Sequence, residues 1–353
     1  MSCRPVVVKL GGDALASPER IAAEAHRLAR LAEREPVLAV ASARRGVTDH
    51  LLGLAAQVRR AASSGPTGDR TGRPNAAPSG AEADRAVATG EVVTASLLAL
   101  ALNQIGVEAV SLDAREAGIL GSGRFGGARI QAIASRRLER LLARGVIPVV
   151  TGFQGWKRGR VATLGRGGTD TSAVALAVAL GATRVAFVKD AEGLRTADPK
   201  LIADGRPIGA APHAFLSALT AAGAKIVHVD AARLAEQHGL TLAFHSLQND
   251  EPVTSIFRDA PAAHLRAVAT LILESGIAEI TAISAEPEVA AAATESLREA
   301  LIVAGLHLQD IQPAANGPRF IVAAQDSVTA TRIVHAAFVL HHGEGAAPAL
   351  RAS

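Results

Sequence analysis

The sequence predicts an α/β protein in which a mainly parallel sheet, covered by helices on both faces, is followed by a small α+β unit. Two observations predict this class. Short β-branched runs alternate with amphipathic helical stretches from residue 6 to residue 244, which is typical of a parallel sheet with crossover helices. Beyond a compositional break at 249–261, the order changes to two strands, a helix, two strands and a last helix, which favours an antiparallel sheet.

The predicted elements follow in chain order. In the first part, strands are predicted over 6–10, 37–42, 107–112, 146–151, 184–188 and 240–244, with the first helix over 18–34. In the second part, strands are predicted over 267–273, 277–284, 306–311 and 320–323, with helices over 287–304 and 327–340. We therefore predict a large domain over 1–258, a small domain over 264–341 and a tail over 342–353. Residues 62–84, rich in Ser, Gly, Pro and Ala, are predicted to be a flexible surface excursion.

The composition excludes several classes of function. Aromatic residues make up only 3% of the chain and Tyr is absent, so a stacking platform for single-stranded nucleic acid is not expected. The 37 Lys and Arg residues are scattered among 33 acids, which indicates a solvated surface with a modest attraction for anionic substrates. The chain has one cysteine, Cys3, no uninterrupted apolar run of membrane length and no signal-peptide pattern. We therefore expect a cytoplasmic protein with no membrane partner.

Lys9 lies at the end of the first predicted strand and is followed closely by Gly11 and Gly12. An ammonium group beside glycine amides, at the carboxyl edge of a parallel sheet, favours a phosphate group. A generic turn after a surface lysine stays open as the alternative.

Glu91 follows Ala88, Thr89 and Gly90, and a long apolar helix is predicted to begin there. Helical spacing places its carboxylate on a face with apolar residues, where it needs a cation or hydrogen-bond donors. This favours recognition of a ligand ammonium. The alternative is a glutamate at a helix N-terminus, stabilised by the helix macrodipole.

The strongest signal is the glycine-rich segment 163–170, together with Gly152 and Gly155 earlier in the chain. Thr169 or Asp170 can cap the Ala/Val/Leu helix that follows, and the free amides of that helix favour an anion. Arg166 adds a planar fork for a carboxylate. A purely structural cap is the alternative, and no Walker nucleotide loop occurs in the sequence.

Two further segments place lysines beside glycines. The segment 188–193 leads into Asp198, Pro199 and Lys200, and a second glycine break ends at Lys225. Both segments suit a nucleotide at the carboxyl edge of the sheet. A solvated connection and a solvated helix end are the respective alternatives.

Taken in order, these segments resemble the aspartokinases of the amino-acid kinase superfamily. Residues 9–12 resemble the family's opening Lys-Phe-Gly-Gly, 88–91 resemble Ser-Thr-Gly-Glu, and 164–170 resemble Leu-Gly-Arg-Gly-Gly-Ser-Asp. Residues 189–199 are similar to Thr-Asp-Val-Asp-Gly-Val-Tyr-Thr-Ala-Asp-Pro, and 223–225 are similar to the end of Ser-Gly-Ala-Lys. The resemblance covers 4–258, and the small domain resembles a single ferredoxin-like ACT-type module.

The resemblance implies ATP-dependent phosphorylation of the side-chain carboxylate of L-aspartate, with Mg²⁺ as the accompanying cation. The implied catalytic residues are Lys9, Asp170 and Lys225. The implied aspartate site comprises Ser42, Thr48, Glu91, Arg166, Gly167, Gly168 and Thr169. The implied nucleotide site comprises Lys9, Gly11, Gly12, Lys189, Asp190, Gly193, Arg195, Lys200, Lys225 and Ile226.

Within that set the resemblance gives each charge a role. Lys9 would neutralise the transferring phosphoryl group, Glu91 would meet the ammonium of aspartate, and Arg166 would meet its α-carboxylate. Asp170 and Asp190 would organise the lysines and the waters of Mg²⁺. The attacking carboxylate has a free pKa of about 3.9, so it is already ionised and needs no general base. Catalysis then depends on alignment of two anions and on neutralisation of their charge.

The chain also departs from the family pattern. Asp13 follows the glycines, Arg44 and Arg45 replace an uncharged pair, Arg195 replaces Tyr, and Val229-Asp230 replaces Pro-Arg. The departures leave the exact acceptor open, and two rivals remain. One is a related kinase acting on a substrate such as acetylglutamate, which has no free ammonium; the other is a catalytically silent nucleotide-binding paralogue.

The resemblance bears on assembly and regulation as well. Aspartokinases commonly carry two ACT modules that bind lysine or threonine, whereas a single module is predicted here. We expect this module to form a homodimer, and we expect any amino-acid effector, lysine or threonine, to inhibit weakly. The implied pathway is the biosynthesis of the aspartate-derived amino acids.

Overall fold

The computed structural model describes residues 4–63, 77–190, 193–248, 250–314 and 316–340. The chain forms two compact units, the first made of 1–191 and 240–252 and the second of 192–239 and 253–353. The domain limits drawn from the sequence stay a prediction.

The strands are β1 Val6–Leu10, β2 Val37–Ala41, β3 Ala109–Leu112, β4 Ile119–Arg124, β5 Gly127–Ile133, β6 Ile147–Thr151, β7 Gln154–Lys157, β8 Arg160–Thr163, β9 Arg184–Lys189, β10 Leu194–Arg195, β11 Pro207–Ile208, β12 Ala210–Ala211, β13 Thr241–Ser246, β14 Thr254–Ile256, β15 Arg266–Ile272, β16 Ile277–Ser284, β17 Asp310–Ala314 and β18 Gly317–Ala323. The helices are α1 Pro18–Ala32, α2 Val47–Ser63, α3 Ala77–Gln104, α4 Arg136–Ala143, α5 Gly168–Leu180, α6 His213–Ala221, α7 Val229–His238, α8 Pro287–Ala292, α9 Thr294–Val303 and α10 Ser327–His335, which continues into a π-helical turn, Ala336–Leu340.

In the first unit, six parallel strands form a sheet in the order β13-β9-β1-β2-β6-β3. The predicted α/β class with a mainly parallel sheet is therefore confirmed. β1 lies inside the sheet between β9 and β2, and all of its side chains are buried, as expected for a strand covered on both faces. The carboxyl ends of β1 and β9 lie side by side, because Leu10 pairs with Val188.

The alternation of side chains along β1 decides where Lys9 points. Val6, Val8 and Leu10 join the core cluster that β1 forms with α1 and α3. Side chains of a strand alternate between the two faces, so Lys9 faces the opposite side of the sheet. Helix α5 packs against β1, β2 and β9, and its first turn supplies the residue that meets Lys9.

Helix α3 begins earlier than the sequence suggested. Residues 62–84 were predicted to be a flexible excursion, but helix α2 runs to Ser63 and α3 starts at Ala77. The prediction is wrong for residues 77–84, while 64–76 lie outside the described residues. By length and composition α3 could cross a membrane, yet half of its apolar window is buried in the fold. A core helix of a globular protein meets the same criterion, and α3 packs against α1, α2 and β3.

A second sheet in the first unit, of order β5-β4-β7-β8, was not predicted. Its strands include four glycines among Ile119–Arg124, Gly127–Ile133 and Gln154–Lys157, and glycine weakens the local strand signal. The sheet matters for function because β8 ends at Thr163, immediately before the glycine-rich segment.

The second unit contains the antiparallel sheet β15-β16-β18-β17 with α8, α9 and α10 packed on it. The predicted ferredoxin-like, ACT-type architecture is confirmed. Two details differ: the third strand begins at Asp310 rather than at residue 306, and the first predicted helix divides into α8 and α9. The predicted tail, 342–353, lies outside the described residues.

Candidate active site

Three charged side chains meet at the carboxyl ends of β1 and β9. The Lys9 ammonium lies 2.9 Å from Oδ1 of Asp170, and the Lys189 ammonium lies 3.4 Å from Oδ2 of the same carboxylate. The side chains of Lys9 and Asp170 are only 8% and 10% exposed. One buried carboxylate thus holds two lysines that come from neighbouring strands, and the trio carries one net positive charge.

The trio is electrostatically coupled. Burial lowers the pKa of Lys189, the nearby Lys9 lowers it further, and Asp170 opposes both by favouring the charged ammonium. A buried cation is tolerated when an anion is paired with it. Asp170 therefore keeps two cations together at a place where their unpaired charge would be costly.

The turn after β1 is closely packed against the segment that follows β2. A Cβ atom on Gly12 would lie 2.8 Å from the carbonyl oxygen of Ala43, and the Arg45 amide donates to the Gly12 carbonyl at 3.2 Å. On Gly11 a Cβ atom would lie 3.3 Å from the Val188 oxygen. These approaches leave room only for glycine, at position 12 above all. The glycines of the predicted phosphate turn therefore also have a structural role.

Asp13 and Arg45, two of the departures from the family pattern, compensate each other. The Arg45 guanidinium lies 2.7 Å from Oδ1 of Asp13. The negative charge that Asp13 adds after the glycines is therefore matched by a positive one. Because Arg45 is 73% exposed, the pair contributes little to stability.

Helix α5 begins at the glycine-rich segment. Its N-cap is Gly167 in the left-handed conformation, with φ of 71°, and no side chain caps the helix. The expectation that Thr169 or Asp170 would be the cap is wrong, because both lie in the first turn and are buried. Asp170 there adds a negative charge at the positive end of the helix and reaches Lys9 at the same time.

Gly152 and Gly168 allow this turn to close. A Cβ atom on Gly152 would lie 2.3 Å from Cγ2 of Thr169, and one on Gly168 would lie 2.8 Å from Cβ of Leu164. Arg166 and Gly167 are exposed at the tip of the turn, and Arg166 forms no ion pair within the described part of the chain. Its guanidinium is available to a ligand.

Asp84, which no motif of the sequence marked, holds the strand leading into this turn. Its buried carboxylate accepts hydrogen bonds from the Thr163 amide at 2.7 Å, the Thr163 hydroxyl at 3.0 Å and the Gly126 amide at 2.9 Å. Asp84 had been placed in the predicted excursion. A carboxylate one helical turn before the buried Val87 was the available signal, but only the extension of α3 shows that it faces inward.

Glu91 is a further buried carboxylate of this unit that bears on the site. It lies about four turns inside α3, so the alternative of a helix-terminal glutamate is wrong. Its Oε1 accepts the Ala43 amide at 3.2 Å, whereas Oε2 has no hydrogen-bond partner within the described residues. Burial raises the pKa of Glu91 to about 7, against the opposite effect of hydrogen bonds from its own amide and that of Ala43.

The position of Glu91 is fixed by its surroundings. The Gln154 side-chain amide donates to the Ala88 carbonyl at 2.8 Å, which ties α3 to β7. A Cβ atom on Gly90 would lie 3.0 Å from Cβ of Ala43, so the helix approaches the segment after β2 closely. That segment carries Ser42 and, at the start of α2, Thr48, both half-buried.

The remaining predicted residues are in the second unit. Gly193 has φ of 74°, and a Cβ atom there would lie 2.5 Å from the Thr254 hydroxyl. Arg195 is in β10 and donates from Nε to the Gly205 carbonyl at 3.0 Å, and Lys200 is exposed. Lys225 is exposed and Ile226 half-buried in the connection between α6 and α7. Their roles stay predictions, as do those of every site residue inferred from the resemblance.

No cluster of three or more His, Cys, Asp or Glu side chains that could hold a metal occurs within the described ranges. The oxygens of Asp170 already face two ammonium groups, whereas Asp190 is exposed at the end of β9. Mg²⁺ that accompanies nucleotides is commonly held by one or two carboxylates together with the phosphates. The residues present fit a cation that arrives with the nucleotide.

Comparison with known proteins places the chain in a family. The sequence model of the amino acid kinase family matches residues 4–244 of this chain. Aspartokinase from Thermus thermophilus is 32% identical over 310 residues, which are 87% of this chain and 72% of that protein. This chain belongs to the aspartokinase family. A Corynebacterium glutamicum aspartokinase is 33% identical over 320 residues, with 88% and 72% covered.

The match does not extend over the full length of the relatives. A Bacillus aspartokinase is 35% identical over 278 residues, which are 78% of this chain but only 64% of that protein. Among solved structures, Escherichia coli aspartokinase III in complex with aspartate and ADP matches with a TM-score of 0.76 at 20% identity, covering 94% of this aspartokinase and 99% of that chain. Clostridium acetobutylicum aspartate kinase matches with a TM-score of 0.67 at 17% identity, covering 94% and 100%. These likenesses support the fold.

Proposed function

We propose that this aspartokinase transfers the γ-phosphoryl group of ATP to the side-chain carboxylate of L-aspartate, giving 4-phospho-L-aspartate and ADP. The observation that carries the proposal is the buried trio of Lys9, Asp170 and Lys189 beneath the N-terminus of α5. It agrees with the name shared by the relatives and with the aspartate and ADP bound to the E. coli protein.

The trio supplies the charge that phosphoryl transfer needs. The attacking carboxylate and the nucleotide are both anions, so their approach requires fixed positive charge. Lys9 provides it at the carboxyl end of β1, and the amides of the Gly11-Gly12 turn and of the α5 N-terminus add partial positive charge. Asp170 keeps Lys9 in place before substrate arrives, so little reorganisation is required at the moment of transfer.

Glu91 is proposed to recognise the ammonium group of aspartate, and Arg166 its α-carboxylate. Support comes from the free Oε2 of Glu91, a buried acceptor that a ligand cation would satisfy. Arg166 is exposed at the glycine turn, where its planar fork suits a carboxylate. Ser42, Thr48 and the turn residues Gly167, Gly168 and Thr169 are proposed to complete this pocket.

The nucleotide is proposed to contact the exposed Lys200 and Lys225 and the half-buried Arg195. The resemblance adds Lys189 and Asp190 to these contacts. Gly193 and Ile226 are proposed to shape the same site. A side chain at position 193 would collide with Thr254, so only glycine fits there. Mg²⁺ would be carried by the phosphates, with Asp190 as the carboxylate nearest to the lysines in sequence. When bound, it neutralises charge on the phosphates.

An assay of ADP release with a panel of acidic substrates tests the proposal. We expect turnover with L-aspartate, Mg²⁺ and ATP, and formation of an aspartyl hydroxamate when hydroxylamine is present, because hydroxylamine traps acyl phosphates. N-acetyl-L-aspartate is the matched control, since it retains both carboxylates and lacks the ammonium that Glu91 would meet. Turnover of the acetylated compound and not of aspartate would favour the rival kinase, and no turnover with any acceptor would favour the silent paralogue.

The second unit is proposed to form a homodimer through its antiparallel sheet and to respond only weakly to lysine or threonine. Its edge strand β17 presents backbone groups that another sheet can pair with. Light scattering measures the subunit count, and calorimetry showing tight binding of either amino acid would contradict the weak response. A cytoplasmic location, in the synthesis of aspartate-derived amino acids, belongs to the same proposal.

A further inference from the structure

The segment Gly193 to Lys200, proposed above to bind nucleotide, is attached to the ACT-type sheet of its own unit at Thr196. Arg195 ends β10, which pairs with β11, and the next residue, Thr196, is buried. Beyond it the chain turns back into solvent, where Asp198 and Lys200 are exposed. Thr196 is therefore the fixed point between the half-buried Arg195 and the exposed Lys200.

Hydrogen bonds engage every polar group of Thr196. Its amide donates to the Arg206 carbonyl at 2.9 Å, and its carbonyl accepts the amide of Val268, in β15, at 2.8 Å. Its hydroxyl oxygen accepts the Arg206 amide at 2.8 Å and lies 2.9 Å from Nε2 of His335. Two of these contacts come from the ACT-type module, although they lie about 70 and 140 residues away along the chain.

His335 is the last residue of α10 and is only 2% exposed. An imidazole buried in that way needs a hydrogen-bond partner, and the Thr196 hydroxyl provides one whichever ring nitrogen carries the proton. One turn earlier on the same helix, the Thr331 and Thr270 hydroxyls lie 2.7 Å apart, in a contact separate from the Thr196 segment. The buried ring, at the end of a helix whose apolar residues pack on the ACT-type sheet, can therefore hold Thr196.

We infer that His335 and Thr196 form a positioning pair that sets the geometry of Arg195 and Lys200, so that the ACT-type module fixes the affinity of this aspartokinase for its nucleotide. The inference rests on the proposed nucleotide role of those two cations. It predicts a specific effect on ATP, because the pair is adjacent to the proposed nucleotide segment and distant in sequence from the residues proposed to bind aspartate.

Thr196→Val and His335→Leu, in the full-length chain, test the pair. Each removes one side of the His335–Thr196 hydrogen bond, and Thr196→Val also removes the acceptor of the Arg206 amide. We expect the KM for ATP and the dissociation constant for ADP to rise roughly 2- to 10-fold. The KM for aspartate should stay within about twofold. The double variant should show an effect smaller than the product of the two single effects, because both variants break the same contact. Thr196→Ser keeps the hydroxyl and should restore the ATP parameters.

Thr331→Val is the matched control, since it removes a buried threonine hydroxyl bond on the same helix without touching the nucleotide segment. It should lower the melting temperature and leave the KM for ATP unchanged. Equal shifts in both KM values, or the same ATP effect in Thr331→Val, would mean a purely structural role and overturn the inference. Wild-type turnover and ADP binding report on the proposed function separately; if the wild type bound no ADP, both proposals would fail.

Discussion

Two buried carboxylates of the first unit differ in what surrounds them. Asp170 faces two lysines from its own chain, whereas Glu91 meets only backbone amides, and its Oε2 has no partner among the described residues. The charge of Asp170 is compensated before any ligand arrives, and that of Glu91 is not. A buried charge that is paired within the chain stabilises the site before ligand binds. A buried charge without a partner indicates where a ligand of opposite charge would bind.

Lys9→Ala gives the largest expected effect. It removes the ammonium proposed to neutralise the transferring phosphoryl group, so kcat should fall roughly 100- to 1,000-fold. Asp170 still keeps Lys189 as a partner, so the variant should fold, and circular dichroism checks this beside the kinetic assay. Arg184→Ala is the matched control, because it removes an ion pair with Glu35 at the other end of β9 and should leave kcat unchanged. Wild-type turnover in Lys9→Ala would show that the phosphate site lies elsewhere.

Asp170→Asn tests how much the paired, buried charge of the trio contributes to the stability of the fold. It leaves two ammonium groups in a buried space without an anion, and the free energy of unfolding should fall by about 3 kcal/mol. Asp250→Asn makes the same substitution between Arg27 and Arg30, but Asp250 is 56% exposed, so its effect should stay below about 1 kcal/mol. Urea denaturation of both variants measures the difference. Equal losses would mean that burial of the trio contributes nothing.

Glu91→Gln should affect the binding of aspartate and not the stability of the fold, the reverse of Asp170→Asn. A neutral amide is easier to bury than an unpaired carboxylate, so the melting temperature should not fall. The KM for aspartate should rise roughly 10- to 100-fold, because a hydrogen bond to a charged group is lost. The KM for ATP should change little. A lower melting temperature with an unchanged KM for aspartate would assign Glu91 a structural role instead.

The smallest expected effect is one of pH. An acid whose pKa is raised on folding stabilises the fold below its unfolded pKa, and this contribution is lost as the pH rises through the folded value. Glu91 and Glu24 both have pKa values raised from 4.5 to about 7 by burial, so the free energy of unfolding should fall between these limits. The ammonium of aspartate favours ionised Glu91, so the KM for aspartate should rise as the pH falls below 7.

Glu24→Gln is the control that distinguishes these two glutamates. It should remove part of the pH dependence of stability and leave the pH dependence of the KM for aspartate as in the wild type. Glu91→Gln should also remove part of the pH dependence of stability, and it should remove the rise in the KM for aspartate below pH 7 as well. If the KM profile below pH 7 were the same in the wild type and in Glu91→Gln, the rise would have to come from another group.

Some of the site could be predicted because its signals are local. Lys9 and the glycines after it lie at the end of a strand that a short stretch of sequence is enough to identify. Gly12 makes the close approach to neighbouring backbone that its position suggested. Asp170 was recognised as important but expected at the wrong place in the helix, since a cap and a first-turn residue look alike in sequence. Glu91 was placed at a helix end because the low complexity of the preceding residues hid the first part of α3.

The pair of His335 and Thr196 carried no local signal at all. The histidine belongs to a helix whose apolar pattern is fully accounted for by packing against the ACT-type sheet. The threonine belongs to a segment that was identified only through the family resemblance. Their contact depends on the pairing of elements about 140 residues apart. Nothing within a short window of either residue indicates the other.

By itself the sequence determined the α/β class, the strands that end in glycine turns and the charged residues available at those ends, because periodicity and turn chemistry act over a few residues. The tertiary structure decided which charges meet. β9 lies beside β1 although more than 170 residues separate them in the chain, and this strand order brings Lys9 and Lys189 to one carboxylate. Oε2 of the buried Glu91 is left without a hydrogen-bond partner among the described residues. Strand order depends on the burial of whole faces, which no local pattern specifies.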